Sequence, residues 1–224
     1  DHCLTFKEQL GTRVALVPRS GGKARILETE ALFHFHANNA YEEPNGDVVV
    51  EIVSHDPGGG WAGWNQHLRD YEDDGGGAFG GRLERIRISG QKVTREPLIE
   101  DIGCEFPQLD HRFETKAHPV TYAAAASARG GDPDSVIAVD HRAGCTERYT
   151  VAPGNSICEP LFAADAQRTD SGAGWLLTVE HLAAQARSQL LVLDTERLGD
   201  GPVATAELSH HIPMGFHGTF TPAG

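Results

Sequence analysis

The segment Phe33-His-Phe-His-Ala-Asn-Asn-Ala-Tyr-Glu-Glu43 carries the first group of side chains able to bind a metal or move a proton. Its histidines are two residues apart, so on an extended strand His34 and His36 project to the same face. Such a pair serves either as a hydrogen-bonded structural couple or as two imidazole ligands, and the segment taken alone favours the first. A second group, His210-His211-Ile-Pro-Met-Gly-Phe-His217-Gly218, lies near the other end of the sequence. Neither has the HExxH spacing of a helical zinc site or the spacing of a zinc finger. Histidines this far apart share a site only if the fold assembles it. The high count, 12 histidines in 224 residues, points the same way.

The elements that would assemble it are strands. Apolar runs are short, rich in Val, Ile and Leu and bounded by Gly, Pro, Asp or Asn, and helical periodicity is almost absent. The pattern predicts strands at 13–17, 24–28, 31–36, 47–53, 81–88, 92–97, 135–140, 146–151, 174–181, 188–194 and 203–208. Two hairpins are expected, one pairing 136–140 with 146–151 and one pairing 175–180 with 189–194. The Ala-rich stretch 122–129 is too short to count as a helix and runs into Gly130-Gly131. Gly-rich segments at 58–64 and 73–77 suit surface loops better than phosphate cradles, because no helix start or Lys follows. Trp61 and Trp64 in the first loop either line an apolar tunnel or cap a sheet edge. Many short strands in repeated groups make the chain all-β, as a sandwich or as a propeller with blades of about 40–50 residues.

Composition removes other classes. With 19 Lys+Arg against 32 Asp+Glu, a net charge of −13 and no basic run, the chain lacks the cationic patch that nucleic-acid phosphates require. No apolar run approaches the roughly 18 residues of a membrane span. Four cysteines at 3, 104, 145 and 158, with no CxxC pair, suit reduced cytoplasmic thiols. The sequence starts Asp1-His2-Cys3 without Met, which reads as a cut, so an upstream portion is expected.

Five pieces in order carry a resemblance: FHxxNAYEE around His36, IEDIGCEFPQLD around Glu105, Gly-Asn-x-x-x-Glu-Pro-Leu-Phe around Glu159, GWLLTV…LLVLD, and GPVATAEL…IPMGFHG ending on His217. Together they resemble the carotenoid cleavage oxygenase family, which includes bacterial apocarotenoid and lignostilbene dioxygenases. The likeness runs from Leu4-Thr5-Phe6 to Gly218. It implies a seven-bladed β-propeller with Fe(II) on its axis, held by four histidines. Residues 1–224 would supply the later blades, the C-terminal part of that single domain. The offset to Asn39-Ala40-Tyr41-Glu42 makes His36, not His34, the third ligand, and the GFHG element makes His217 the fourth. The first two ligands would lie upstream, in the missing N-terminal part of the same propeller. Glu105 and Glu159 match carboxylates that stand behind the iron-binding histidines, where a carboxylate accepting the distal N–H fixes the ligand's tautomer. His34 shares the strand face of His36 and would sit either near the cavity or in the core. His55, His67, His111, His118, His141, His181, His210 and His211 are expected in turns or on the surface.

The resemblance implies a non-haem Fe(II) dioxygenase that cleaves a conjugated C=C bond of a carotenoid, apocarotenoid or stilbene-type substrate with O₂, giving two carbonyl products. The apolar substrate allows a peripheral contact with a membrane, without a span. The main alternative is a non-catalytic propeller scaffold lacking a complete metal site. A third arrangement, two histidines with one carboxylate as ligands, fits Fe(II) chemistry but not the family's all-histidine set.

Overall fold

The computed structural model describes residues 6–55, 80–127, 131–168 and 172–221. The glycine-rich loops with Trp61 and Trp64, and His67, lie outside the described residues. Among the described residues four antiparallel sheets follow one another. The first is the hairpin of β1 (Thr12–Leu16) and β2 (Arg25–Thr29). The second is β3 (Phe33–Glu42), β4 (Val48–His55), β5 (Arg82–Ser89) and β6 (Lys92–Pro97). The third is β7 (Cys104–Gln108), β8 (Val120–Ala125), β9 (Ser135–Asp140) and β10 (Gly144–Thr150). The fourth has β11 (Ser156–Ile157) and β12 (Leu161–Ala164) on one side of β13 (Gly174–Leu182), then β14 (Arg187–Asp194) and β15 (Pro202–Glu207). Among the described residues the only helical pieces are four 3₁₀ turns of three residues each. The all-β expectation holds.

Both expected hairpins form. Val139 pairs with Cys145 across β9–β10, and Glu180 pairs with Gln189 across β13–β14. The Ala-rich stretch is the finding that the pattern concealed. Its first half is β8, whose residues 121–125 are all buried. Alanine has little intrinsic preference for strands, but β8 is covered on both faces, and a small side chain is what such a slot accommodates. The alternation is visible in the packing. Ala123 and Ala125, with Ile137 and Val139, face Val53 and Leu83 of the second sheet, whereas Tyr122, Ala124 and Val136 face Leu176 and Leu191 of the fourth. Truncating either of those leucines to Ala would cost about 2–5 kcal/mol.

Sheets two and three are also joined by backbone. Gly81 and Cys104 exchange both hydrogen bonds, at 2.9 and 3.0 Å. The adjoining Gly80 has φ +88°, and a Cβ there would lie 2.5 Å from the Cys104 nitrogen, so glycine is required on both counts.

A polar joint completes this seam. The Glu51 carboxylate of β4, fully buried, takes Arg85 Nη2 at 2.8 Å and Asn38 Nδ2 at 3.0 Å. His118 Nε2 is 3.2 Å from Glu51, and Thr121 Oγ1 is 2.9 Å from His141 Nε2. Asn39 ties β3 to the loop before β8, donating to Lys116 O at 2.9 Å and accepting from Thr115 N at 3.1 Å. His118 and His141 were expected in turns or on the surface. His118 is instead buried, and His141, which does sit in the turn after β9, points its side chain into this joint, because Glu51 and Arg85 from the neighbouring sheet offer partners that no local pattern reveals.

Burial lowers the His141 pKa to about 4, more than Glu51 nearby can offset. The unfolded imidazole titrates near its ordinary value of about 6.5, so the unfolded state binds the proton first as pH falls. The stability held by neutral His141 is therefore full above about pH 6.5 and is lost toward pH 4, by on the order of 2–3 kcal/mol. Urea midpoints measured across this window should fall for the wild type and fall less steeply for His141→Asn. Equal slopes would show that His141 does not titrate in this way.

Candidate metal centre

His36 stands in a stretch of β3 that departs from regular pairing. Between His34 and Asn39 the register against β4 shifts twice, so β3 carries two extra residues there. Strict alternation is therefore broken at this point. The bulged stretch delivers His36 Nδ1 to Glu105 Oε2 at 2.6 Å.

Glu105 comes from β7, which is bulged as well. Its pairing with β8 shifts between Glu105 and Gln108, and Phe106 in between has φ +55°. The extra residue brings Glu105 and Gln108, three apart in sequence, into one site. Glu105 meets His36, and Gln108 Nε2 donates to Glu159 Oε1 at 2.9 Å. A left-handed backbone at Phe106 costs on the order of 1 kcal/mol or more, and here it turns the Phe106 N–H onto Glu105 Oε2 at 2.9 Å. The second carboxylate oxygen takes His55 Nε2 at 2.5 Å.

Glu159 sits between β11 and β12, and His217 lies in the segment after β15. Their contact mirrors the first: His217 Nδ1 approaches Glu159 Oε1 at 3.3 Å, and Gly218 N donates to Oε2 at 2.9 Å. Both carboxylates are buried, at 5% and 8% exposure. The two imidazoles meet with their Nε2 atoms 3.1 Å apart and their ring centroids 4.9 Å apart. Phe106 packs on both, with centroids 5.1 Å from His36 and 5.8 Å from His217.

The electrostatics follow from these contacts. Burial works against the Glu105 carboxylate, but the donors His36, His55 and the Phe106 N–H outweigh it and hold its pKa below the ordinary value. Glu105 therefore stays ionised at neutral pH. Its hydrogen bond raises the His36 pKa despite partial burial. With each Nδ1 donating to a carboxylate, each Nε2 presents its lone pair to the other. Two lone pairs at that distance require a proton or a metal cation between them, and neutral imidazole nitrogens suit a first-row transition ion.

The four residues singled out from the sequence thus converge, in two His–carboxylate pairs. His34 stays exposed, with its pKa lowered by burial of part of the ring and by His36 and His55 nearby. His36 and His55, rather than His34, take the Glu105 carboxylate. His55 was expected in a turn or on the surface. It is instead held at the end of β4, its side chain 9% exposed, where it clamps Glu105. His181 is likewise buried rather than exposed, beside Cys158. No local spacing marks His55 or Gln108, since both reach the site through pairings between distant strands.

Glu51, His118 and His141 form a second convergence whose donor atoms lie within 4.8 Å of one another. Its chemistry differs from the first. Arg85 Nη2 already bonds Glu51 at 2.8 Å and His141 Nδ1 at 3.0 Å, and a divalent ion there would have to displace a largely enclosed guanidinium, 14% exposed. We read this group as the polar joint of the fold.

A profile of the family described as RPE65: Retinal pigment epithelial membrane protein matches residues 1–222. The chain is 28% identical to Apocarotenoid-15,15'-oxygenase of Synechocystis sp., over 97% of its own length and 44% of the relative's. It is 24% identical to Resveratrol cleavage oxygenase 1 of Botryotinia fuckeliana, over 90% of the chain and 38% of the relative. The crystal structure of cobalt-substituted Synechocystis ACO superposes with a TM-score of 0.82 at 25% identity, covering 94% of this chain and 44% of that one. The chain thus spans less than half the length of these relatives. With sheets, buried carboxylates and a profile match over nearly all of its length in agreement, the chain belongs to the RPE65 or carotenoid cleavage oxygenase family.

Proposed function

We propose that the chain is the C-terminal part of a non-haem Fe(II) dioxygenase. Its substrate class would be a conjugated alkene of carotenoid, apocarotenoid or stilbene type, cleaved at one C=C bond with O₂ so that each carbon leaves as a carbonyl. The observation that carries this reading is the pair of imidazole Nε2 atoms 3.1 Å apart, each backed through Nδ1 by a buried carboxylate. His36 and His217 would hold the iron, and Glu105 and Glu159 would orient them. By family likeness the rest of the frame would be a seven-bladed propeller with these sheets as later blades, and two further histidine ligands would come from the upstream part.

When bound, Fe(II) supplies the redox centre and an open position for O₂. The chain's own residues do the remaining work. Glu105 and Glu159 keep the Nδ1 protons in place, which leaves both Nε2 lone pairs directed at one point and raises their basicity. Gln108 and the Gly218 N–H fix the Glu159 oxygens, and His55 fixes Glu105, so neither carboxylate can rotate away. Phe106, with Phe216 at 6.4 Å, gives the site an apolar wall that suits an alkene and limits water. Among the described residues no helix is long and apolar enough to cross a membrane, and a lipid-soluble substrate would favour a peripheral contact with one.

Two measurements test this reading. In the full-length protein, His36→Ala and His217→Ala should each abolish stoichiometric iron and alkene cleavage, and activity retained in both would refute it. Glu105→Gln keeps the shape but can no longer accept from both His36 and His55. It should weaken iron binding about 10–100-fold. At alkaline pH, long-range ¹H–¹⁵N spectra of the metal-free protein should show His36 protonated at Nδ1 in the wild type and not in Glu105→Gln. Unchanged spectra would mean that Glu105 does not set the tautomer.

A further inference from the structure

Next to the His36–His217 pair, a group of sulfur and imidazole atoms has no part in the reading above. Cys158 Sγ lies 3.2 Å from His181 Nε2 and 4.0 Å from Met214 Sδ. The ring of His211 stands 5.3 Å from that of His181, tilted by 49°. Three separate parts of the chain meet here: the link between β11 and β12, strand β13, and the segment after β15.

The arrangement is supported from behind. Ser188 Oγ of β14 accepts the Ile212 N–H at 2.9 Å, which pins the segment carrying His211 and Met214 over β13 and β14. The same hydroxyl lies 3.3 Å from His181 Nδ1 and can accept its proton, leaving the Nε2 lone pair facing the thiol. Burial favours the neutral form of His181. The next residue along from Cys158, Glu159, is committed to His217, Gln108 and Gly218. The group therefore gathers a thiol, a thioether and two imidazoles, with the carboxylate adjoining Cys158 in sequence engaged elsewhere.

We propose that Cys158, His181 and Met214 form a binding site for a soft monovalent cation, Cu(I) above all, with the His211 ring beside that of His181. Thiolate and thioether ligands select Cu(I) over the harder ions that carboxylates prefer. The spacing fits. Metal–sulfur and metal–nitrogen bonds of about 2.3 and 2.0 Å in a tetrahedral shell place ligand atoms about 3.5 Å (S to N) and about 3.8 Å (S to S) apart. The observed 3.2 and 4.0 Å lie close to these, so small side-chain rotations suffice. Met214 is 51% exposed and His211 is exposed, which leaves both free to adjust. Binding releases the Cys158 thiol proton to solvent and involves no electron transfer.

The proposal does not depend on the iron reading, and its test separates the two. Full-length protein is titrated anaerobically with Cu(I) in competition with bicinchoninate, and the copper edge absorption is recorded. One Cu(I) should bind to the wild type, to Cys145→Ser, which removes the exposed thiol, and to His36→Ala. Cys158→Ser should weaken binding at least about 100-fold, at or beyond the upper end of what losing an outer partner costs. Met214→Leu, at an exposed position that tolerates the change, should remove one of two sulfur scatterers. Wild-type affinity in both Cys158→Ser and Met214→Leu would overturn the proposal. So would loss of copper in His36→Ala with its retention in Cys158→Ser.

Discussion

Two imidazole lone pairs directed at one another across 3.1 Å repel unless a positive charge sits between them. The structure accepts this because each ring is locked from behind by a carboxylate with 8% exposure or less. An isolated buried carboxylate is itself costly. Glu105 offsets that cost with donors from His36, His55 and the Phe106 N–H, and Glu159 does so with Gln108, His217 and Gly218. Glu105 Oε2 and Glu159 Oε1 each take two donors, whereas Glu105 Oε1 rests on His55 and Glu159 Oε2 on the Gly218 N–H, so losing either of the last two leaves a buried oxygen unpaired. The site is therefore a single coupled unit.

Irregular backbone is what lets β-sheets present such a unit. A regular strand sends residues three apart to opposite faces. The bulge in β7 and the two register shifts in β3 break that rule at the points where Glu105, Gln108 and His36 must converge. The regular portions do the opposite job. β8 and β9 alternate strictly and fill both faces of the third sheet, so that the sheets on either side are held at fixed spacing. The Glu51–Arg85–His118–His141 joint adds polar directionality to a seam that is otherwise apolar.

Much of this was legible in the residues. Strands with alternating Val, Ile and Leu, such as β5, β9 and β14, were placed within a residue or two, and both hairpins formed with the expected partners. The strands that escaped were β7, β8, β11 and β12. β7 is interrupted by Pro107, β8 is built from alanine, and β11 and β12 have only two and four residues. Each gains its strand conformation from neighbours rather than from its own pattern. Among site residues, His36, His217, Glu105 and Glu159 could be picked out because a family motif surrounds each. The expectation of turns or surface fails for His55, His118 and His181 and misses the partners of His141 in its turn, since the surroundings of a histidine are decided by a partner on another strand. Glu105, Glu51 and Cys158 are those partners.

The central claim is that His36 Nε2 and His217 Nε2 share one metal ion. The most direct measurement is a crystal structure of the full-length protein grown with Fe(II) under anaerobic conditions, with anomalous data collected on both sides of the iron edge. The account predicts a single strong anomalous peak bonded to both Nε2 atoms, with Glu105 and Glu159 retained on the two Nδ1 atoms. A peak at Glu51, His118 and His141 instead, with His36 and His217 in contact with each other and with no metal, would contradict it.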